Sequence, residues 1–214
     1  MNEPQGLNIA IFASGRGSNV ASILRAIEVG TIPRSKVVLV ISNNSSAGAL
    51  QIARDHDIPA MHISRRQFTS GEEYTRAIRS ALHRHLVNLI VLAGYMKKVD
   101  SSVIDEYKNR IINIHPALLP EFGGEGMYGM HVHEAVIASR ASQSGATVHI
   151  VDGEYDHGAI LLQRTMPVLP DDTPEMLAEK VLRIEHELYP EAITLFAEER
   201  VAISDGTVIV KGKS

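Results

Sequence analysis

Asn113 and His115 are the residues of this sequence whose types and spacing best suit chemistry. They follow Arg110-Ile111-Ile112, flank Ile114 and stop at Pro116. On extended backbone successive side chains alternate between faces, so the amide and the imidazole share one face and Ile112 and Ile114 take the other. Proline cannot donate to a strand ladder and biases the residue before it towards extended backbone, so a short strand over 111–114 is expected to end here. Two polar groups on an otherwise apolar strand cost free energy unless both find partners. In an open α/β sheet, ligands bind outside the carboxyl ends of the strands, where this pair would stand.

Two further groups could work with that pair. Asp152, Glu154 and Asp156 lie within the glycine-flanked stretch 152–158, either as a solvated acidic turn or as the source of a carboxylate that meets His115. A carboxylate beside an imidazole favours the imidazolium and can accept or relay a proton. Ser14-Gly15-Arg16-Gly17-Ser18-Asn19 sits between an apolar run at 8–13 and a helical pattern with Val20, Ile23, Leu24 and Ile27. Consecutive N–H groups and the helix dipole would make this turn an anion site, with Ser18 or Asn19 as the cap. It is neither G-x-G-x-x-G nor a P-loop with its lysine, so phosphate cradle and ordinary turn both stay open. The ten histidines include His83-Arg84-His85 and His131-Val132-His133. A His-x-His pair needs a third ligand, neither H-E-x-x-H nor a cysteine pair exists, and no metal is expected.

Alternating strands and helices must position these groups. Strands are expected at 36–42, 59–63, 88–93 and 111–114, with helices at 47–56, 72–85, 101–107 and 131–139 between and after them. This is the pattern of parallel βαβ units with right-handed crossovers. The stretches 146–151 and 159–167 are close enough to pair antiparallel, so the sheet should be mixed. A long helix should open at Asp172-Thr173-Pro174 and end or kink at Pro190, with more helix at 191–198. Asp205-Gly206, within 201–210, signals a small hairpin. The fold class is α/β, a mostly parallel sheet with an antiparallel C-terminal portion and helices on both faces. One domain is expected over 1–214, with halves at about 8–110 and 111–199.

Composition narrows the function classes. The net charge of −4 and scattered basic residues argue against nucleic acid as a partner. With no cysteine, disulfide scaffolds, thiolate metal sites and cysteine nucleophiles are excluded. The apolar runs are too short to span a bilayer and the start lacks a signal-peptide pattern, so a cytoplasmic protein with no membrane partner is expected.

The order and spacing of Gly15-Arg16-Gly17-Ser18-Asn19, Leu92-Ala93-Gly94-Tyr95-Met96, Asn113 to Pro120, Gly145-Ala146-Thr147-Val148-His149 and Asp156-x-Gly158 resemble the phosphoribosylglycinamide formyltransferase family. The resemblance spans about residues 8–197. It implies a Rossmann-like fold, and transfer of the formyl group of 10-formyltetrahydrofolate, a cosubstrate, to the amine of glycinamide ribonucleotide in purine (IMP) biosynthesis. It makes Asn113, His115 and Asp156 the catalytic residues. Asn113 and protonated His115 would face the developing oxyanion, and Asp156 would keep the imidazole charged and move a proton. It gives Gly17, Ser18, Asn19 and Glu185 to the nucleotide, with Glu185 on its amine. Met96, Lys97, Lys98, Val99, Asn113 and the loop Asp152, Gly153, Glu154, Tyr155 and Asp156 would border the folate. Thr147 and His149 match a pair beside the catalytic centre. A monomer or homodimer is expected.

There are departures. Met96-Lys97-Lys98-Val99 stands where the family often has Met-Arg-Ile-Leu, and the family often has an arginine near the position of Gly71, for which Arg65 or Arg66 would substitute. The stretch 122–130 is longer and richer in glycine than the family's. The rival reactions are formyltetrahydrofolate hydrolysis, in a family that usually carries an extra N-terminal regulatory domain, and another 10-formyltetrahydrofolate-dependent transfer. A non-catalytic nucleotide-binding module would keep Gly15 to Asn19 without needing the catalytic trio.

Overall fold

The structure, a computed structural model, describes residues 6–204 and 206–212. Strands β1 (Leu7–Phe12), β2 (Ser35–Ser42), β3 (Ala60–His62), β4 (Leu89–Leu92) and β5 (Ile111–His115) run parallel. Strands β6 (Gln143–Ile150) and β7 (Ile160–Pro167) add an antiparallel portion. The spatial order is β3-β2-β1-β4-β5-β6-β7.

The period-two pattern decides what each face buries. Ile9, Ile11, Leu89, Val91, Ile112 and Ile114 pack under helices α1 (Ser18–Glu28), α2 (Gly48–Asp55), α5 (Met130–Ala138) and α6 (Pro174–Ala197). Ala10, Phe12, Ile90, Leu92 and Ile111 pack under α3 (Gly71–Arg84) and α4 (Ser101–Glu106). Because side chains alternate, Asn113 and His115 continue the face of Ile111 where the strand outruns its helix cover. The strand runs one residue further than expected, since His115 still pairs with Thr147 of β6.

Two expectations are corrected. Pro190 does not end the last helix; α6 runs from Pro174 to Ala197. A mid-helix proline removes the donor to the carbonyl four residues back, here His186, and Ser22 Oγ of α1 donates to that oxygen at 2.8 Å. The freed carbonyl thus becomes a docking point for α1. Nor do Ser18 and Asn19 cap α1. The cap position is Gly17, in a left-handed conformation with φ 86°, and no side chain bonds the first turn. Strands β8 (Val201–Ser204) and β9 (Thr207–Val210) form the expected hairpin; Asp205 lies outside the described residues.

Candidate active site

The turn after β1 is built by close backbone approach. A Cβ on Gly17 would lie 2.7 Å from Ala49 Cα, and one on Gly48 would lie 2.7 Å from Arg16 O. Only glycines let α2 begin this close to the turn, and only glycine readily takes the positive φ of residue 17. With no side-chain cap, the first N–H groups of α1 remain as donors for an anion.

At the end of β5 the two distant parts of the motif meet. Asp156, held at φ 53°, places Oδ2 3.5 Å from His115 Nδ1 and Oδ1 3.5 Å from His149 Nε2. Asn113 Nδ2 lies 3.1 Å from His149 Nε2 and donates to Asp156 Oδ1 at 3.5 Å. His149 Nδ1 donates to the Ile150 carbonyl at 2.9 Å, which turns Nε2 towards Asn113 and Asp156. The backbone of the glycine-rich stretch completes the cluster: His115 Nε2 donates to Phe122 O at 2.7 Å and Gly124 N–H to Asp156 Oδ2 at 3.1 Å.

The turn after His115 is secured from β6. Thr147 Oγ1 donates to Ala117 O at 2.7 Å and accepts from Leu119 N at 3.2 Å. Gln163 of β7 donates to both Thr147 Oγ1 and Leu119 O. Thr147 therefore supports the turn and His149 touches the cluster.

The electrostatics differ from expectation at one point. Burial would push the Asp156 carboxyl up, but the His149 hydrogen bond, the His115 charge and the Gly124 N–H together hold it below the usual carboxylate range. His115 moves the other way from the prediction: burial lowers its imidazole, and Asp156 and the Phe122 carbonyl offset this only in part. A carboxylate neighbour does favour the imidazolium, but a ring only 3% exposed loses more by desolvation than it regains at that separation. Burial also brings His133, on α5, down to about 4, with the His115 charge adding to the effect. Burial pushes Glu185 up, against the pull of Asn19.

These groups line one cavity of about 660 Å³. Every residue assigned above to catalysis, nucleotide or folate lines it except Gly153. Arg65 and Arg66, in a 3-10 turn after β3, do not. Its basic groups are instead Arg16, Lys97 and Lys98, and Lys98 Nζ stands 5.4 Å from the centre of the Tyr155 ring. Sequence reasoning did not single out Arg16 or His133 as lining residues. Arg16 had a signal, a cation between the two glycines of the turn after β1; Phe122 O and Gly124 N–H had none, being backbone groups. Among the described residues no three histidine or acidic side chains are grouped to hold a metal. His83 pairs with Glu106, and His131 stacks on Tyr128.

Comparison with known proteins bears on the fold and the family. The chain is 39% identical over 215 residues to the chloroplastic phosphoribosylglycinamide formyltransferase of Arabidopsis thaliana, covering 99% of this chain and 73% of that one. It is 35% identical over 206 residues to the phosphoribosylglycinamide formyltransferase of Haemophilus influenzae, covering 96% and 94%. The crystal structure of glycinamide ribonucleotide transformylase 1 from Symbiobacterium toebii superposes with a TM-score of 0.90 at 36% identity, over 97% of this chain and 95% of that one. No helix among the described residues is long and apolar enough to cross a membrane, and the plant relative's name shows that the family does not fix a compartment. Residues 7–193 match the family model for formyl transferases, and the chain belongs to that family.

Proposed function

We propose that this protein transfers the formyl group of 10-formyltetrahydrofolate to the amine of glycinamide ribonucleotide, giving formylglycinamide ribonucleotide and tetrahydrofolate for purine synthesis in the cytoplasm. The observation that carries this reading is the meeting of Asn113, His115 and Asp156 in the cavity that also holds the Gly15-to-Asn19 turn. The nucleotide phosphate binds the free N–H groups of that turn, and the folate lies along Met96 to Val99 and the 152–156 loop.

The amine nitrogen bonds to the formyl carbon, charge builds on the formyl oxygen, and the bond from that carbon to the folate nitrogen then breaks. One proton leaves the attacking nitrogen and one reaches the departing nitrogen. Asn113 and His115 donate to the oxygen as it becomes an oxyanion, each such donor being worth about 2.7–4 kcal/mol in the transition state. His115 Nε2 donates to Phe122 O. Binding of the folate therefore exchanges that carbonyl for the formyl oxygen, and the glycines at 123, 124, 126 and 129 give the segment room to yield. Asp156, ionised, takes the amine proton and passes it to the folate nitrogen.

The test is a spectroscopic assay of folate product with and without glycinamide ribonucleotide. Product that forms only with the nucleotide is expected. Formate release at the same rate without it would instead make the enzyme a hydrolase.

A further inference from the structure

Helices α1 and α6 meet along a seam closed by two side-chain bonds. Ser22 Oγ donates to His186 O, and one turn earlier Asn19 Nδ2 donates to Glu185 Oε2 at 2.6 Å. Asn19 and Glu185 are each 8% exposed and both line the cavity. A carboxylate offers only lone pairs, so the edge of the amide turned towards it is the NH2. Asn19 Oδ1 is thereby left buried with no hydrogen-bond partner among the described residues. Leaving a buried carbonyl unpaired costs free energy that packing alone does not require. The amide is committed to the carboxylate.

We propose that Asn19 is a positioning residue for Glu185: its side-chain NH2 holds the carboxylate in one orientation at the cavity wall, ready for a substrate group that carries polar hydrogens, and takes no part in binding phosphate. This refines the assignment of Asn19 to the phosphoribosyl group and rests on the proposed function. The anion is left to the backbone N–H groups of the turn. Burial pushes the Glu185 carboxyl up, and the same bond works against that rise. Its titratable neighbours on α6 are His186, next in sequence, and Tyr189, a turn on, whose hydroxyl is spent on Leu92 O and Ile112 O. Arg16 from the turn and His133 from α5 face the same cavity.

Two measurements test this, the first independent of any reaction. The Glu185 carboxyl is titrated by carbon NMR in the unliganded protein, its signal identified by loss in Glu185→Gln. Asn19→Ala should raise the midpoint by about one pH unit or more; Asn19→Ser, which keeps a donor, should raise it less and serves where Asn19→Ala does not fold. A midpoint that does not move overturns the proposal even if formyl transfer is confirmed. The second is a double-mutant cycle in the kinetics. Asn19→Ala should raise KM for glycinamide ribonucleotide about tenfold to a hundredfold, as expected for a hydrogen bond to a charged group, and leave KM for the folate within about twofold. In the Glu185→Gln background it should add less than about threefold. An equal effect in both backgrounds would make Asn19 an independent substrate contact and refute the positioning role. A wild-type enzyme inactive on the nucleotide would refute the proposed function and leave the titration to decide on Asn19.

Discussion

Asp156→Asn keeps the side chain's shape and removes the charge that faces His115. At 3.5 Å and an effective dielectric constant of about 20, opposite unit charges attract by about 5 kcal/mol. That is a ceiling on the effect, because water reaches the carboxylate, which is 12% exposed; the His115 pKa should fall in the variant. The sign follows from what remains. Burial already lowers the imidazole, and without Asp156 only the Phe122 carbonyl works against it. Less His115 is then protonated at neutral pH, and the oxyanion loses the donor that makes its bond charge-assisted. The proton carrier is lost as well. A kcat lower by about a hundredfold to a thousandfold should result, with KM for both substrates changed little. In the steady-state assay, the profile of kcat/KM against pH should be bell-shaped for wild type, and its alkaline limb should move to lower pH in the variant. A variant with kcat within tenfold of wild type and an unmoved alkaline limb would refute the link between Asp156 and the charge on His115.

Three other outcomes follow from the geometry. Ser22→Ala leaves His186 O without its donor at a half-buried seam and should lower stability by about 1 kcal/mol, or about 2–4 °C in melting temperature. In a Pro190→Ala background, residue 190 regains an N–H for that carbonyl and the loss should largely vanish; an equal loss would show that the serine does not compensate for the proline. His133 binds a proton less readily folded, at about 4, than unfolded, at 6.5. Its contribution to stability is therefore complete above about pH 6.5 and lost as pH falls towards 4, so His133→Gln should flatten the urea-measured stability curve across that window. An unchanged slope would count against it. A Cβ on Gly158 would lie 1.9 Å from Ile150 O, whereas one on Gly71 meets nothing within 4 Å. Gly158→Ala should cost about 1–3 kcal/mol and lower kcat by displacing Asp156, while Gly71→Ala should be silent in both calorimetry and turnover.

What was legible in the sequence is what local period and spacing encode. Runs such as Ile9-Ala10-Ile11-Phe12 and Leu89-Ile90-Val91-Leu92 carry apolar residues for both faces of a sheet, and a strand covered by helices on each side needs nothing else. The common face of Asn113 and His115 follows from the same alternation. The illegible part depends on partners far along the chain or on backbone atoms. Pro190 reads as a helix end because nothing near it reveals that Ser22, in the first helix, will take the stranded carbonyl. Asn19 reads as a cap because Glu185 lies 166 residues away. His115 is the instructive case. The nearby carboxylate, left open by residue types and implied by the family resemblance, does stand beside it, but how far the ring is desolvated is set by the packing of the whole site, including the Phe122 carbonyl and the glycine segment. Residue types left open whether the acid meets the base; the fold brings the two together, and burial decides which way the proton equilibrium leans. If folate binding exchanges Phe122 O for the formyl oxygen, the imidazole gains its strongest reason to be charged only as negative charge forms on that oxygen. Burial that disfavours the imidazolium then makes the interaction larger in the transition state than in the ground state, which is the difference that accelerates a reaction.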